Sequence, residues 1–302
     1  MELYELLQKQ SLPLESKIIL TLERIREFYE FMGGKVYIAF SGGKDSTVLL
    51  HLVRSIYPDV PAVFVNTGLE YPEIVEFVKT IDNVITLRPG MNFKKVLDTY
   101  GYPVASKRIS KMVYEIRNGK NNEKTKEKYL SGDFGHSLTL SKKWRFLIDA
   151  DFKVSDKCCN VMKKKPFKAY EKDTGNKAFI GTMASDSEGR TSNYLKRGCN
   201  TFEGTINSTP MGFWLEVDIW KYLSKYDLSY SEIYDMGEKR TGCMFCMFGT
   251  HMEGNPNKFQ RMAKTHPKQY EYCMVKLGLK DILEQCGIDY KPIRTLDSFV
   301  ND

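Results

Sequence analysis

"YIAFSGGKDSTVLL", residues 37–50, passes from a short apolar run through two glycines and a lysine into a stretch with helical spacing. β-Branched and aromatic residues predict a strand, and the glycines let the backbone approach a ligand closely. Free N–H groups at the start of the next helix attract an anion, and the positive charge of Lys44 adds to this attraction. The stretch predicts a strand–loop–helix unit that binds phosphate, with a simple glycine turn as the alternative.

Two common nucleotide-binding patterns are absent from this loop. The Walker A pattern needs a glycine where Ile38 stands and Ser or Thr where Asp45 stands, and the G-x-G-x-x-G fingerprint does not fit either. Ser41, Ser46 and Thr47 nevertheless supply hydroxyl donors. Anion binding is therefore predicted from the residue types and not from either pattern.

Strand-like and helix-like stretches alternate on both sides of the loop. Alternation of this kind predicts an α/β fold with a doubly wound parallel sheet, whose ligands lie beyond the carboxyl ends of the strands. Both "SGGKDS" and "NTGLEYPE" follow predicted strands, so we expect them to converge. The predicted strands are 35–40, 60–68, 83–89 and the start of 177–186, and the predicted helices are 14–32, 46–57, 72–81, 213–226 and 267–279.

The predicted domain organisation separates a nucleotide-binding part from a cysteine-containing end. Residues 1–235 are expected to form the α/β domain, interrupted by a basic insert at 107–157 that reads as a helix, an exposed loop and irregular structure. Residues 236–302 are expected to form a C-terminal region with a metal-ligand loop and a helical tail.

The composition is that of an ordinary globular protein, with 42% hydrophobic and 27% charged residues in 302. No run approaches the ~18 apolar residues of a membrane span, and the N-terminus lacks the apolar segment of a secretory signal. We therefore expect a soluble, cytoplasmic protein with no membrane partner. Its oligomeric state is left open.

Positive charge is concentrated in one part of the chain. The net charge is +7, and residues 107–168 hold 17 Lys and Arg against 7 Asp and Glu. Such a block is either a solvated basic face or a surface that attracts the phosphates of a nucleotide or a nucleic acid. Lys163, Lys164 and Lys165 follow a pair of cysteines, which favours the second interpretation.

Four of the seven cysteines form a pattern. Cys158 and Cys159 are adjacent, and Cys243 and Cys246 form a C-x-x-C. Four thiolates suit tetrahedral zinc, but adjacent cysteines chelate a single ion awkwardly, whereas an iron–sulfur cluster offers each cysteine a different iron. The spacing favours a cluster, with zinc and free thiols as alternatives.

Several segments resemble a known family. "SGGKDS" resembles the PP-loop of the ATP pyrophosphatases, and "NTGLEYPE", "FIGTMASDSEGR", "WLEVDIWKYL" and "IYDMGEKRTGCMFC" are similar, in the same order, to segments of the phosphoadenosine phosphosulfate (PAPS) reductase family. The resemblance spans roughly residues 17–266 and implies an adenine nucleotide alpha-hydrolase-like fold. It implies that the nucleotide is bound by Ser41, Gly42, Gly43, Lys44, Asp45, Ser46, Asn66, Thr67, Gly68, Glu70, Gly181 and Arg190. Thr47 is added to this predicted site as a hydroxyl donor.

Two further expectations concern the chemistry at the loop. Lys44 and Asp45 are expected to act in catalysis, and a Mg²⁺ ion is expected between the Asp45 carboxylate and the phosphates, since bare anions at that distance repel. A helix N-cap is the alternative role for Asp45. Met183 departs from the family, which commonly has an arginine there, so one phosphate or sulfate contact is expected to be missing.

The cysteine pattern resembles the 4Fe–4S ligands of adenosine phosphosulfate (APS) reductases. The resemblance implies that Cys158, Cys159, Cys243 and Cys246 hold such a cluster, and the lysines nearby suit an anionic cluster close to a nucleotide phosphate. Cys286, in "EQCGID", resembles the nucleophile in the reductases' Glu-Cys-Gly-Leu-His motif, although Gln285 and Asp289 depart from it. Cys286 is thus a candidate catalytic residue, with a helix-end role as the alternative. Cys199 and Cys273 read as incidental and buried thiols.

Three functions are compatible with these features. The favoured one is an enzyme of sulfur metabolism that cleaves ATP to an adenylate and pyrophosphate for sulfur transfer, with tRNA or DNA as the acceptor. The second is an APS or PAPS reductase that releases sulfite and takes electrons from a thiol reductant such as thioredoxin. The third is a non-catalytic nucleotide-sensing module in which the cluster is structural.

Overall fold

A computed structural model describes residues 2–119, 122–133, 135 and 139–292 of the chain. Parts of the predicted basic insert (120–121, 134 and 136–138) and the end of the predicted helical tail (293–302) lie outside the described residues. The strands are β1 (Val36–Ala39), β2 (Ala62–Val65), β3 (Val84–Leu87), β4 (Lys177–Ile180), β5 (Asn200–Thr201) and β6 (Asn207–Ser208). The α-helices are α1 (Leu3–Ser11), α2 (Leu14–Phe31), α3 (Lys44–Arg54), α4 (Pro72–Lys79), α5 (Phe93–Tyr100), α6 (Lys107–Asn118), α7 (Asn122–Leu130), α8 (Lys165–Thr174), α9 (Glu188–Arg197), α10 (Glu216–Lys225), α11 (Lys258–Thr265), α12 (Pro267–Glu271) and α13 (Leu279–Gln285).

The six strands form one sheet in the order β3-β2-β1-β4-β6-β5. All neighbours are parallel except β5 and β6, which form an antiparallel edge. Ile38 of β1 pairs with Ala62 on one side and Phe179 on the other, which makes β1 a central strand. The predicted α/β class with a parallel, doubly wound sheet is confirmed.

The central strands are apolar because both faces of the sheet are covered. Val36, Tyr37 and Ile38 of β1 are each at most 1% exposed, and all four residues of β2 are buried. Continuous burial is typical of parallel sheets. Phe28 of α2 packs edge-on against Phe179 of β4, with ring centroids 5.2 Å apart.

Helix α2 buries a face that is only partly apolar. Ile25 and Phe28 are buried as the helical spacing predicts, but Lys17 and Thr21 lie on the same stripe and are also buried. Lys17 is tolerated there because its ammonium lies 2.6 Å from the Asp218 carboxylate of α10. Trp214 donates its indole N–H to Thr21 Oγ1 at 2.9 Å.

The chain divides into two compact units, each made of several segments. Unit 1 comprises residues 1–66, 70–89 and 165–241 and contains the whole sheet. Unit 2 comprises residues 67–69, 90–164 and 242–302. The predicted division into domains 1–235 and 236–302 stays a prediction, and the sequence did not anticipate that residues 90–164 pack with the C-terminal segment.

In the described part of unit 2 the regular structure is helical, apart from an isolated parallel bridge between Tyr102 and Val154. Its apolar interior gathers side chains from the insert and the C-terminal helices, and Trp144 packs edge-on against His251 at 4.9 Å between ring centroids. The Arg117 guanidinium donates to the carbonyls of Phe152 and Ala150, which joins α6 to the end of the insert. The predicted helical, cysteine-containing C-terminal region is therefore confirmed.

Several elements differ from the prediction. The stretch predicted as an exposed loop contains α7, whose Glu and Lys residues are good helix formers and whose Tyr129 hydroxyl donates to Glu115 of α6. The predicted helix over 267–279 is split into α12 and a π-helical turn, Tyr272–Lys276. Among the described residues, no helix combines the length and apolar character needed to cross a membrane.

Candidate functional site

The glycine loop lies in unit 1, between β1 and α3, at the carboxyl edge of the parallel strands. Helix α3 begins at Lys44 with Gly43 as its N-cap, so its first N–H groups point out of the helix start. The Ser46 hydroxyl donates to the Gly43 carbonyl at 2.8 Å and accepts from the Ser41 N–H at 3.2 Å. Thr47 Oγ1 donates to the same carbonyl at 3.1 Å. These hydroxyls hold the loop in shape, and their predicted contacts with a ligand stay predictions.

Close packing explains why the loop contains glycines. Gly42 has a φ of +73°, and a Cβ there would lie 2.8 Å from Val78 Cγ2 and 2.9 Å from Ile74 Cγ2 of α4. A Cβ on Gly43 would lie 2.5 Å from Thr241 Oγ1. Gly181, which follows β4, lies against the start of α3, because its Cβ would be 3.1 Å from the Asp45 carbonyl oxygen. The structure thus brings Gly181 to the loop.

Lys44 is almost completely buried, with 4% of its surface exposed. Its ammonium lies 3.0 Å from Glu216 Oε1 and 3.8 Å from Asp45 Oδ1, and it donates to the Lys239 carbonyl at 3.2 Å. The rings of Trp220 and Tyr234 flank it at 5.8 and 5.2 Å from their centroids. A buried cation needs such compensation, which the carboxylates, the carbonyl and the two rings provide for Lys44.

Asp45 carries an unsatisfied oxygen. Its Oδ1 is buried without a hydrogen-bond partner, since the Lys44 ammonium at 3.8 Å is too distant for a hydrogen bond. Burial raises the pKa of the Asp45 carboxyl, Lys44 lowers it, and the nearby Asp186 and Glu216 raise it again. An orphaned carboxylate oxygen among other carboxylates is chemically suited to a hard cation.

Asp186, in the family-like segment "FIGTMASDSEGR" (residues 179–190), pairs with two arginines. Arg190 of α9 forms an ion pair with Asp186, and Arg240 Nη2 lies 3.7 Å from the other oxygen of the same carboxylate. Asp186 also accepts from the Met183 N–H at 3.1 Å. The Met183 side chain is only 3% exposed, so the position that commonly holds an arginine is part of the apolar interior here.

The family-like segment "NTGLEYPE", residues 66–73, follows β2. Asn66 continues the parallel pairing, because its N–H donates to the Leu87 carbonyl at 2.9 Å, and it lies at the same sheet edge as the loop. Glu70 precedes α4 in the same unit. Thr67 and Gly68 belong to unit 2, where Thr67 Oγ1 accepts from the Leu69 N–H at 3.2 Å. The nucleotide-binding roles of these residues stay predictions.

Tyr234 is a loop contact that the sequence did not reveal. The Lys44 N–H, the first of α3, donates to the Tyr234 hydroxyl at 2.8 Å. The Thr241 hydroxyl lies 3.4 Å from that of Tyr234. Both residues lie in the segment "IYDMGEKRTGCMFC", which resembles the family, but a tyrosine 190 positions from the loop gives no local signal of this contact.

The four patterned cysteines all belong to unit 2. Cys243 and Cys246 share a turn in which the Cys246 N–H donates to the Cys243 carbonyl at 3.1 Å. Lys258 of α11 ties this turn down, because its ammonium donates to both cysteine carbonyls at 2.9 Å. Cys158 and Cys159 directly precede a π-helical turn, Asn160–Lys164.

The thiols interact across the 83 residues that separate the pairs in the chain. A hydrogen bond with Cys159 raises the pKa of Cys158, and burial and the charges of Cys159, Cys243 and Cys246 raise it further. The same hydrogen bond lowers the pKa of Cys159, assisted by three lysines, Lys107, Lys163 and Lys164. Within the described parts of the chain, no three His, Cys, Asp or Glu side chains are placed to hold a single metal ion.

The other three cysteines are Cys199, Cys273 and Cys286. Cys286 forms the C-cap of α13 and is 5% exposed, and burial raises the pKa of its thiol to about 12. Cys273 is fully buried and donates to the Tyr270 carbonyl at 3.2 Å. Burial also raises the pKa of Cys199, which belongs to unit 1.

Comparison with curated proteins finds relatives of moderate similarity. An uncharacterised protein of Methanocaldococcus jannaschii is 26% identical over 278 residues, which are 89% of this chain and 53% of that protein. The chain thus spans about half the length of this relative. The adenosine 5'-phosphosulfate reductase of Lysinibacillus sphaericus is 25% identical over 227 residues, covering 74% of this chain and 78% of that enzyme.

Comparison with solved structures finds neighbours of low similarity, and a family sequence model gives the assignment. The phosphoadenylyl-sulfate reductase of Candida auris covers 69% of this chain and 81% of its own, at 15% identity and a TM-score of 0.39. The U34-tRNA thiolase of Methanococcus maripaludis, solved with its [4Fe-4S] cluster, covers 90% and 80%, at 16% identity and a TM-score of 0.38. The sequence model of the phosphoadenosine phosphosulfate reductase domain matches residues 35–248. The chain therefore belongs to the phosphoadenosine phosphosulfate reductase domain family.

Proposed function

We propose that the protein is an enzyme of sulfur metabolism that binds ATP at the loop of residues 41–46 and cleaves it between the α- and β-phosphates. The observation that carries the proposal is the complete loop at the start of α3, with a helix N–H and a buried ammonium both supplied by Lys44. Oriented N–H groups and a fixed cation stabilise the charge of departing pyrophosphate. Attack of an acceptor oxygen on the α-phosphorus forms an adenylate, and the β,γ-phosphates leave as pyrophosphate.

Mg²⁺ is proposed to accompany the nucleotide. The unpartnered Asp45 Oδ1 and the carboxylates of Asp186 and Glu216 nearby fit a hard cation that prefers oxygen ligands. Such an ion would neutralise phosphate charge next to Asp45. Chelation with EDTA should therefore abolish ATP cleavage, and Asp45→Asn should raise the Mg²⁺ concentration needed for half-maximal rate.

The four cysteines of unit 2 are proposed to hold a 4Fe–4S cluster. The donor set fits in kind and number, since Cys159, Cys243 and Cys246 all act electrostatically on Cys158, and adjacent cysteines suit separate irons better than one zinc ion. A bound cluster supplies electron transfer or a coordination site for sulfur. Lys258 would hold the Cys243–Cys246 turn, and the lysines near Cys159 would offset the negative charge of the thiolates.

Metal analysis tests this ligand set directly. Anaerobically purified protein should contain about four irons and an equal amount of sulfide per chain. Cys243→Ser should lose most of this iron. Cys199→Ser, which removes a thiol of unit 1, should keep it. Stoichiometric zinc in place of iron would contradict the cluster.

The acceptor in this proposal is a nucleic acid. Residues 107–168 carry the excess of Lys and Arg, and their charge suits a phosphate backbone. Filter binding of tRNA or DNA at rising salt concentration checks this, because affinity through phosphate contacts falls steeply with salt. Retention that does not change with salt would contradict it.

An APS or PAPS reductase is the second candidate, and the named reductase among the relatives favours it. That chemistry needs an accessible cysteine nucleophile. Cys286, the cysteine whose motif resembles the nucleophile, is 5% exposed and has a pKa raised to about 12. Neither property suits attack on sulfur, since the reactive form is the thiolate.

Product identification separates the candidates. Anaerobically purified protein is incubated with ATP, APS or PAPS, with and without a thiol reductant such as thioredoxin. AMP or an adenylate with pyrophosphate from ATP supports the proposal, and sulfite from APS or PAPS would favour the reductase. Turnover of none of the three would leave a nucleotide-sensing module.

A pair of lysine variants assigns the activity to the loop. Lys44→Met should lower the rate of ATP cleavage on the order of 100-fold, because it removes the buried cation. Lys35→Met is the control, since Lys35 is exposed and immediately precedes β1, at the opposite end of the strand. Equal rates in the two variants would show that the activity does not come from this loop.

A further inference from the structure

Two hydroxyls from residues distant in sequence cover the glycine loop of unit 1. The Tyr234 oxygen accepts the Lys44 N–H at 2.8 Å, and the Thr241 hydroxyl lies 3.4 Å from it. An added Cβ on Gly43 would be 3.2 Å from the Tyr234 oxygen and 2.5 Å from Thr241 Oγ1. The two oxygens therefore lie directly on the backbone that the proposed function assigns to phosphate.

One N–H cannot serve both the phenol and a phosphate at full strength. A phosphate oxygen bound to the Lys44 N–H would approach to about 2.9 Å along the same N–H direction. The Tyr234 oxygen already occupies that position at 2.8 Å. Phosphate binding at this N–H therefore requires the phenol to move away.

The ammonium of Lys44 is held by the same stretch of chain. Glu216 lies 3.0 Å from it and the Lys239 carbonyl accepts from it at 3.2 Å, while the Tyr234 ring packs beside it. These contacts compensate a cation that is 4% exposed. Both groups of Lys44 that would contact phosphate thus have partners from residues 216–239.

Tyr234 is itself well anchored as a neutral hydroxyl. Burial raises the pKa of its phenol, so it stays protonated at neutral pH. Its ring packs edge-on against Trp220, with centroids 5.6 Å apart at 89°. Tyr230 makes an equivalent edge-on contact with Trp220 at 5.3 Å and 86°, but its hydroxyl donates to Asp235 and not to the loop.

We propose that the Tyr234 hydroxyl competes with phosphate for the Lys44 N–H and so limits the affinity of the loop for phosphate groups. Every ligand that uses this N–H loses the same hydrogen bond, so only a ligand with several further phosphate contacts, such as a pyrophosphate group, still binds tightly. The inference rests on the proposed function in one respect, that the loop receives phosphates, and it adds the residue that limits their affinity.

Calorimetric titration with inorganic pyrophosphate tests the competition. Tyr234→Phe keeps the ring and removes only the oxygen, so it should bind pyrophosphate about three- to tenfold more tightly than the wild type, the range expected for one hydrogen bond. Tyr230→Phe is the matched control and should bind like the wild type. Adenosine, which has no phosphate, should bind all three proteins equally.

A thermal-shift measurement gives a second readout. Without pyrophosphate, Tyr234→Phe should melt below the wild type, because the Lys44 N–H loses its partner. Saturating pyrophosphate should raise its melting temperature by more than it raises that of the wild type. Circular dichroism confirms that the variant is folded.

Unchanged or weaker pyrophosphate binding by Tyr234→Phe would overturn the proposal, as would an equal gain for adenosine. No pyrophosphate binding by either protein would overturn it too, because the freed N–H would not receive phosphate. The proposed function fails separately, when ATP yields no AMP or adenylate. Tighter pyrophosphate binding without ATP cleavage would support the competition and refute the enzyme.

Discussion

Two independent features of the structure require a glycine at position 42, the backbone conformation and the close approach of α4. Its φ of +73° is one that side-chain-bearing residues rarely adopt, and α4 lies so close that a Cβ would contact Ile74 and Val78 below 3.0 Å. The sequence predicted that the backbone approaches a ligand here. It could not show that the close neighbour is a helix of the same unit, because that contact depends on the packing of α4.

Alanine variants of Gly42 and Gly204 separate the cost of backbone strain from the cost of close packing. Gly42→Ala should destabilise the protein by about 2–4 kcal/mol, since it combines backbone strain with overpacking. Gly204 has a similar φ of +67° but open space around it, so Gly204→Ala should cost only the strain, about 1 kcal/mol. Urea unfolding measures both, and equal losses would contradict the predicted collision with α4.

Cys286 allows a test based on its pKa. Because burial raises this pKa to about 12, the thiol is protonated across the usual working range and ionises only as the pH approaches that value. Its alkylation rate with iodoacetamide should therefore keep rising up to the highest pH at which the protein stays folded. An unperturbed thiol levels off above its pKa of about 8.5.

Peptide mass spectrometry follows Cys286 alone, with N-acetylcysteine as the reference thiol. A rate for Cys286 that levels off together with the reference would show an ordinary, accessible cysteine. That result would restore it as a candidate nucleophile for the reductase.

Helices α2 and α10 are joined by two ion pairs that differ in burial. Lys17 and Asp218 meet at 2.6 Å with 1% and 7% of their side chains exposed, and Asp218 also accepts the Leu215 N–H at 2.8 Å. Glu15 and Lys225 meet at 2.8 Å on the surface. The apolar spacing predicted both helices, but it could not predict that a lysine lies on the buried face of α2, because its partner is 201 residues away.

The two pairs give a matched prediction. Asp218→Ala should destabilise the protein by roughly 3–5 kcal/mol, because it leaves a buried ammonium without a counter-charge. Glu15→Ala should leave the unfolding midpoint almost unchanged, since solvent screens an exposed pair. Urea denaturation of the two variants gives the comparison, and similar midpoints would mean that burial does not strengthen the Lys17 pair.

A further prediction concerns Lys258 of helix α11 and the turn that contains Cys243 and Cys246. Lys258 donates to the carbonyls of Cys243 and Cys246, so Lys258→Met should loosen the turn and lower the iron content of the purified protein. Lys264→Met is the control, because Lys264 is exposed on the same helix. Full iron content in Lys258→Met would show that the turn does not need this contact.

The fold class of the whole molecule could be predicted from the sequence, but its division into two compact units could not. Alternating patterns sufficed for the parallel sheet, because continuous apolar strands and helical spacing are local properties. The two compact units were not predictable, since each combines segments distant in the chain. Residues 90–164 are polar and basic in sequence, and only their packing with the C-terminal helices makes them part of a unit.

In the candidate sites too, the local motifs could be predicted but the contacts between distant segments could not. Loop residues and cysteine spacing were visible as motifs, whereas nothing local in the sequence showed which partners Tyr234, Thr241, Glu216 and Lys258 would contact. The two cysteine pairs are 83 residues apart in sequence, yet their charges interact within unit 2. The expected proximity of the cluster to the nucleotide stays a prediction.

A crystal structure with α,β-methylene-ATP, which cannot be cleaved between those phosphates, tests most directly whether residues 41–46 hold nucleotide phosphates. We predict phosphate oxygens at the N–H of Lys44, the Tyr234 hydroxyl moved away from it, and a cation beside Asp45. A nucleotide bound elsewhere, with the Tyr234 oxygen still on the Lys44 N–H, would contradict both the proposed ATP site and the competition at the loop.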